Sequence, residues 1–391
     1  MLTLIKGGKV YSPQYMGKKD ILICGDKIEL IEDSINIENS GLEIKVIEAY
    51  GKVVFPGFID SHVHILGGGG EGGFKTRTPE INLSDLTTAG VTTVIGCLGT
   101  DGISRDVKSL LAKARALEEE GVSTFIYTGS YKIPIKSITG NVQEDIILID
   151  KIIGVGEVAL SDHRSSNPTF EQFSQLAGDA RVAGMLSGKA GVINVHMGDG
   201  KNELNYLDRL AEETDIPLTQ IIPTHINRNP SLFKKGLEYA KNGGYVDLTT
   251  STTKKFLEEG ELKCSTGLRI MLEGCVNIKN ITFTSDGQGS LPDFDDKGEC
   301  IGLKIGRCDS LYKEVRDAIM NENVSIENAI SVITSNPAEH LKLKTKGYLK
   351  VGFDADIIVV NEDDLNINTV VAKGITMIHK NKVLVKGIFE K

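Results

Sequence analysis

The 391-residue chain contains no run of about 18 apolar residues, so no segment reads as a membrane-spanning helix. It also lacks an N-terminal apolar core. The opening MLTLIKGGKV meets Lys6 and two glycines at once, and no signal peptide is expected. No C-x-x-C pair occurs among the six cysteines (Cys24, Cys97, Cys264, Cys275, Cys300 and Cys308), which excludes a zinc ribbon and argues against a disulfide framework. These absences lead us to expect a soluble cytoplasmic protein with free thiols. Basic charge is in deficit as well: 44 Lys plus Arg stand against 53 Asp plus Glu, a formal net charge of −9. With no cationic excess to release counterions, neither a nucleic-acid partner nor a membrane partner is expected. The glycine-rich stretch at 67–73 carries no G-K-S/T, so it is not a phosphate-binding P-loop. Histidine is scarce too. There are only seven, and their placement is informative.

The remaining composition, 40% hydrophobic and 25% charged, is that of a globular protein with a sizeable core. Short β-rich runs at 2–5, 20–24, 27–31 and 44–49 alternate with glycine and charge, and residues 348–389 have the same texture in ADIIVVN and GITMIHKNKVLVKG. Neither end alone holds enough strands to be stable, so 1–55 and 346–391 are expected to pair into one small β-sandwich domain. In the middle, 56–345, apolar β-branched runs fall at 58–63, 92–98, 124–128, 157–160, 192–195, 221–223, 245–248 and 281–284. Helical stretches at 105–120, 170–186, 203–213, 232–242 and 263–275 separate most of them, and 310–321 and 326–335 follow the last. Eight strands alternating with helices predict an α/β fold, a (β/α)8 TIM-like barrel, whose sites gather at the C-terminal strand ends.

The histidines fall at those ends. In FIDSHVH, His62 and His64 lie two residues apart, and strand alternation puts both rings on one face, where they can share a divalent metal. His196 ends GVINVHMGDG, His225 ends IIPTH, and Asp286 ends ITFTSDG. Four of the seven histidines are thus at predicted C-terminal strand ends, with an aspartate at the eighth. The others read differently: His340 in a helix, His379 in the terminal β segment, and His163 beside Asp162 after strand four. Glu157 lies on or near the fourth strand, where a carboxylate is costly to bury unless paired or metal-bound. It would either bridge two metals or pair with an Arg or Lys.

These residues resemble the amidohydrolase superfamily. The runs HVHILGGGGEGGFKTRTPE, LGTD, TGSYKIP, SDHRS, HMGD, PTHINRN and TSDGQGS extend the resemblance to its isoaspartyl dipeptidases, over essentially the whole chain. The resemblance implies metal-dependent hydrolysis of isoaspartyl (β-aspartyl) dipeptides, releasing aspartate and an amino acid in the turnover of damaged proteins. It implies two divalent cations per chain, expected to be Zn2+, with His62 and His64 on the more buried one and His196 and His225 on the more exposed one. Asp286 would complete the first site and serve as general base and acid toward a hydroxide bridging the ions. Tyr131 would contact substrate and donate to the oxyanion. Glu71 would bind the substrate ammonium, Arg164 and Arg228 the leaving residue's carboxylate, and Thr100 and Ser290 would add lesser polar contacts. A homo-oligomer, an octamer among the options, is also implied.

One departure from the family pattern affects the chemistry. The family usually has a carboxylated lysine on strand four, whereas GVGEVALSD has no lysine and Lys151 precedes the strand. Glu157 holds the corresponding place relative to SDHRS. It has the same single charge on a shorter side chain, so the backbone must come roughly 3 Å closer, which a bulge at 154–156 would supply. We therefore expect Glu157 to bridge the metals with no need for bicarbonate. Two other readings stay open. An amidohydrolase acting on cyclic amides or N-acyl amino acids should not need Glu71 together with Arg164 and Arg228. A metal-free assembly protein of the same fold should have lost its ligands.

Overall fold

A computed structural model describes residues 2–36, 41, 43–294 and 300–391. Six parallel strands, β1 (Phe58–Val63), β2 (Val91–Gly96), β3 (Ser123–Thr128), β4 (Ile152–Leu160), β5 (Val192–Met197) and β6 (Ile221–Thr224), lie side by side in chain order as a curled half-barrel. Every residue of β1, β2, β4, β5 and β6 is buried, as expected for strands covered on both faces. Two further strands, β7 (Val246–Thr249) and β8 (Ile281–Thr284), form a separate parallel pair. Single backbone bonds link this pair to its neighbours: Ile226 N–H donates to the Asp247 carbonyl at 3.2 Å, and His64 N–H to the Gly287 carbonyl at 2.9 Å.

Local chemistry sets the helices between the strands. The helix Phe170–Ser187 opens on a Thr169/Gln172 capping box and stops at Gly188, whose φ of 68° is left-handed. The helix Pro230–Lys241 starts from the Asn229 side chain with proline in its first turn, where the missing N–H costs nothing. Several elements differ from the sequence expectation. Strand β4 starts at Ile152 instead of 157, because Gly154 and Gly156 disguise its first half. Helices Leu83–Thr87, Val142–Leu148 and Lys254–Glu258, and the hairpin Ser290–Phe294 with Cys300–Ile305, were not anticipated. Each of these helices is too short to develop a 3.6-residue period. Among the described residues no helix is long and apolar enough to cross a membrane.

The β-rich region draws strands from both ends of the chain into one nine-stranded sheet. Leu2–Tyr11, Tyr15–Cys24 and Lys27–Glu32 form an antiparallel meander, and Ile44–Glu48 and Lys52–Pro56 add in parallel to its first strand. Lys52–Pro56 then pairs antiparallel with Ile357–Asn361, which leads on to Ile367–Ala372, Ile375–His379 and Lys382–Val383. Ile5, Val10, Ile21, Ile47, Ile357 and Val359 form a core private to this region. Phe55, Ile358, Val360, Val370 and Met377 belong instead to the core of the half-barrel.

Candidate active site

Strand β4 carries Glu157 into the mouth of the half-barrel by a break in register. Ile193 of β5 pairs with Val155 and Val195 with Val158, so Gly156 and Glu157 together face Asn194. This bulge sits at the end of the expected 154–156 segment. Gly156 is needed there, because a Cβ on it would stand 2.9 Å from Asn194 Cβ and 3.1 Å from Asn194 O. Lys151, the nearest lysine, is occupied elsewhere. It donates to the Thr124 carbonyl at 3.1 Å and pairs with Glu118.

Four imidazoles and a second carboxylate converge on Glu157. Its Oε2 lies 3.2 Å from His62 Nε2, 3.3 Å from His196 Nδ1 and 3.8 Å from His225 Nε2, and its Oε1 lies 3.4 Å from His64 Nε2. Asp286 Oδ1 is 3.0 Å from His64 Nε2 and 3.7 Å from His62 Nε2. Two ligand sets result, one of His62, His64, Cys97 and Glu157 and one of Glu157, His196 and His225. In each set the donor atoms lie within 4.8 Å of one another. His225 and Asp286 hold φ of 62° and 52°, a left-handed strain of about 1–3 kcal/mol per residue that turns the chain sharply at the ends of β6 and β8.

The donor set fits a divalent cation. His62 Nε2, Glu157 Oε2 and Asp286 Oδ1 are buried and have no hydrogen-bond partner among the described residues. Such lone pairs cost about 1–3 kcal/mol each unless something accepts them, and imidazole nitrogen with carboxylate oxygen is a zinc-type donor set. Burial opposes the charge on Glu157, yet the charge of His62 and the close imidazoles of His196 and His225 outweigh it and hold the carboxyl well below its usual range. Burial likewise opposes the charge of Asp286, and His64 leads the groups that bring it down to about 2. Burial, with His196 and Arg228 adding to it, lowers His225 to about 3, leaving the neutral imidazole a metal requires.

The outer ring nitrogens have partners that the sequence did not reveal. His62 Nδ1 meets Asn194 Oδ1 at 3.0 Å, His225 Nδ1 meets Thr249 Oγ1 at 2.7 Å, and His64 Nδ1 lies 3.8 Å from Cys97 Sγ. In the sequence Asp162 reads only as the neighbour of His163, but its Oδ2 lies 3.0 Å from His196 Nε2. His163 itself points into solvent. His340 stacks on Tyr245 and His379 lies on a strand of the β-rich region, so neither joins the cluster.

The cluster floors a cavity of about 910 Å3 whose walls include all the expected substrate residues: Glu71, Thr100, Tyr131, Arg164, Arg228 and Ser290. Each follows a strand end, all in loops except Ser290, which opens the hairpin strand Ser290–Phe294. Tyr131 is fixed by its backbone, accepting from Ala159 N–H at 3.1 Å and donating to Gly99 O at 3.3 Å, and its hydroxyl lies 2.9 Å from His196 Nδ1. Burial, then Glu157, keeps the phenol protonated well above its ordinary range. Asp162 grips Arg164 with a two-point pair, Nε to Oδ1 at 2.9 Å and Nη2 to Oδ2 at 2.8 Å. This leaves Arg164 Nη1 facing Glu71 Oε1 at 3.3 Å. Thr100 Oγ1 donates to Glu71 Oε1 at 2.8 Å, and Ser290 Oγ lies 3.5 Å from Oε2. Arg228 Nη1 reaches His196 Nε2 at 3.5 Å.

The likeness to known proteins spans the whole molecule. The family model described as "Amidohydrolase family" matches residues 53–377. A crystal structure of the β-aspartyl dipeptidase of Fervidobacterium islandicum AW-1 in complex with a β-Asp-Leu dipeptide is 44% identical, covers 98% of this chain and 97% of that one, and superposes with a TM-score of 0.92. A second structure of that enzyme is 42% identical over 98% of both chains, with a TM-score of 0.89. A dihydroorotase of Staphylococcus epidermidis is 38% identical over 93 residues, 24% of this chain; the match spans about a fifth of that relative, 21% of its length. The chain belongs to the amidohydrolase family and, within it, groups with the β-aspartyl dipeptidases.

Proposed function

We propose that this chain hydrolyses the side-chain amide of isoaspartyl (β-aspartyl) dipeptides, using divalent cations held by His62, His64, Glu157, His196, His225 and Asp286. One observation carries the reading: a single cavity joins the buried histidine–carboxylate cluster to the Glu71 carboxylate and the Arg164 and Arg228 guanidinium groups. The Glu71–Arg164 pair at 3.3 Å is the complement of a zwitterion, and a substrate ammonium and carboxylate can enter by exchanging partners with it. The β-Asp-Leu bound to the Fervidobacterium islandicum enzyme is such a molecule.

Bound cations, two per chain and zinc in our reading, supply Lewis acidity that polarises the scissile carbonyl and acidifies water. The protein's own groups do the rest. Glu71, oriented by Thr100 and Ser290, takes the α-ammonium, while Arg164, braced by Asp162, and Arg228 take the leaving residue's carboxylate. Tyr131 keeps its proton and donates it as a hydrogen bond to the carbonyl oxygen as negative charge develops there. Asp286 accepts a proton from the attacking water and passes it to the leaving amine, so aspartate and an amino acid depart. Glu157, in place of a carboxylated lysine, lies between both ligand sets and makes the site independent of bicarbonate. In the same reading β7 and β8 close a (β/α)8 barrel over 56–345, and 1–55 with 346–391 fold as a β-sandwich. The protein then works in the cytoplasm as a homo-oligomer on damaged-protein dipeptides.

Steady-state kinetics on β-Asp-Leu beside α-linked Asp-Leu, each with and without chelator, test this. Turnover of the β-linked dipeptide alone, abolished by chelator and restored by Zn2+, is expected; equal turnover of both linkages would sink it. The dihydroorotase likeness keeps a second reading, hydrolysis of cyclic amides. Turnover of dihydroorotate or hydantoin in preference to β-Asp-Leu would favour it.

A further inference from the structure

Between β6 and β7 the strand ladder gives way to side chains. Asp247, in the interior of β7 and 1% exposed, accepts hydrogen bonds from three threonines. Thr224 Oγ1 at 2.7 Å and Thr284 Oγ1 at 2.6 Å donate to its Oδ2, and Thr282 Oγ1 at 2.8 Å donates to Oδ1. Thr224 ends β6 and immediately precedes His225. Thr249, at the end of β7, places its Oγ1 3.4 Å from Thr224 Oγ1 and 2.7 Å from His225 Nδ1.

Donor counting sets the direction of this chain. A hydroxyl has one hydrogen. Thr224 gives its hydrogen to Asp247, so toward Thr249 its oxygen accepts. The Thr249 hydrogen then points at Thr224, and its oxygen accepts from the ring N–H at His225 Nδ1. The bonds run one way, from ring to Thr249 to Thr224 to carboxylate, and leave the lone pair on Nε2, the atom that faces Glu157 Oε2 at 3.8 Å. The other histidines are held differently. Asn194 holds His62 directly and Cys97 lies beside His64.

We propose that Thr249, Thr224 and Asp247 form a positioning chain that fixes the tautomer and aim of His225, with Asp247 acting through two hydroxyls and touching neither cation nor substrate. The inference rests on the metal-dependent reading of the site and goes beyond it. If Asp247 instead only staples β6, β7 and β8 together, its loss would lower stability and leave cation affinity alone.

Thr249→Val removes the hydroxyl at nearly constant volume, Thr249→Ser keeps it, and Asp247→Asn changes the far end. Three readouts separate the roles: Zn2+ affinity against a chromophoric chelator, the visible spectrum of the Co2+-loaded protein, and the melting temperature of the metal-free protein. Outer-shell partners of ligating histidines are typically worth 10–100-fold in affinity, so Thr249→Val should weaken one Zn2+ by about that factor and shift the Co2+ bands. Thr249→Ser should recover the wild-type spectrum, and a folded Asp247→Asn should weaken the same ion. Should Asp247→Asn not fold, the two Thr249 variants decide. Thr249→Val with unchanged Zn2+ affinity and Co2+ bands would overturn the proposal, whatever its melting temperature. A wild-type protein that bound no Zn2+ would overturn the metal reading itself and the chain with it.

Discussion

At the scale of single residues, the site depends on groups held in one protonation state by their surroundings. Tyr131 keeps its phenolic proton because burial and then Glu157 disfavour the phenolate. If that proton serves the oxyanion, Tyr131→Phe removes one donor from the transition state and little from the ground state. The expected result with β-Asp-Leu is a kcat lower by about 10²–10³ with KM within a few-fold. A loss confined to KM would place Tyr131 in binding alone. Gly156→Ala tests the bulge. Its new Cβ would meet Asn194, whose Oδ1 holds His62 Nδ1 at 3.0 Å, so a destabilisation of about 1–3 kcal/mol in urea and weaker Zn2+ binding are expected together. The residues legible in the sequence share one property: His62, His64, His196, His225 and Asp286 are ligand-capable polar side chains at the ends of apolar strands. Asn194, Thr249 and Cys97 were not legible. They lie in or beside β5, β7 and β2, where an Asn, Thr or Cys in an apolar run looks ordinary, and only strand pairing brings them to the rings.

At the scale of elements, the long periodic segments were recovered and the helices missed were short ones, for the physical reason that five to seven residues cannot show a helical period. The helix Ser335–His340 is short too, though the sequence already places His340 in a helix, and this last residue makes a distinct contribution to stability. His340 stacks on Tyr245 at 3.5 Å between ring centroids, and its Nε2 lies 2.7 Å from the Lys279 carbonyl, where the neutral ring can donate. Burial lowers its pKa to about 4. Since the unfolded chain takes up this proton near pH 6.5 and the folded chain only near 4, the folded state gains stability as pH rises. That contribution is complete above about pH 6.5 and is lost as pH falls through 4, by about 2 kcal/mol already at pH 5. His340→Phe, which keeps an aromatic ring over Tyr245, should flatten this part of the profile when urea midpoints at pH 7.5 and pH 5 are compared. An unchanged pH slope would show that the imidazole is not the group responsible.

At the scale of the molecule, the two ends of the chain are built into the catalytic unit rather than appended to it. Met377 packs where a Cβ on Gly121 would stand 2.5 Å from its Cε, and Ile367 lies against Gly90, which leads into β2. Phe55, Ile358, Val360 and Val370 share one core with Phe58, Val91 and Val94 of the half-barrel. Lys346 is buried across the same junction, bonding Ser123 of β3 on one side and Asp356 on the other. Cutting the chain to 56–345 would remove none of the proposed cation or substrate residues. It would nevertheless expose several large apolar side chains, each worth about 1.5–3 kcal/mol of burial, against a total stability of only about 5–15 kcal/mol. The fragment should therefore lack near-UV circular dichroism and bind no Zn2+ tightly, and the full chain should melt in a single calorimetric transition. Two separated transitions, or a fragment that folds and hydrolyses β-Asp-Leu, would mean that the shared core is a contact between independent bodies. A single transition would make the terminal sheet a structural condition of the site, since the strands that present His62 and Glu157 would then hold their positions only while both ends of the chain are in place.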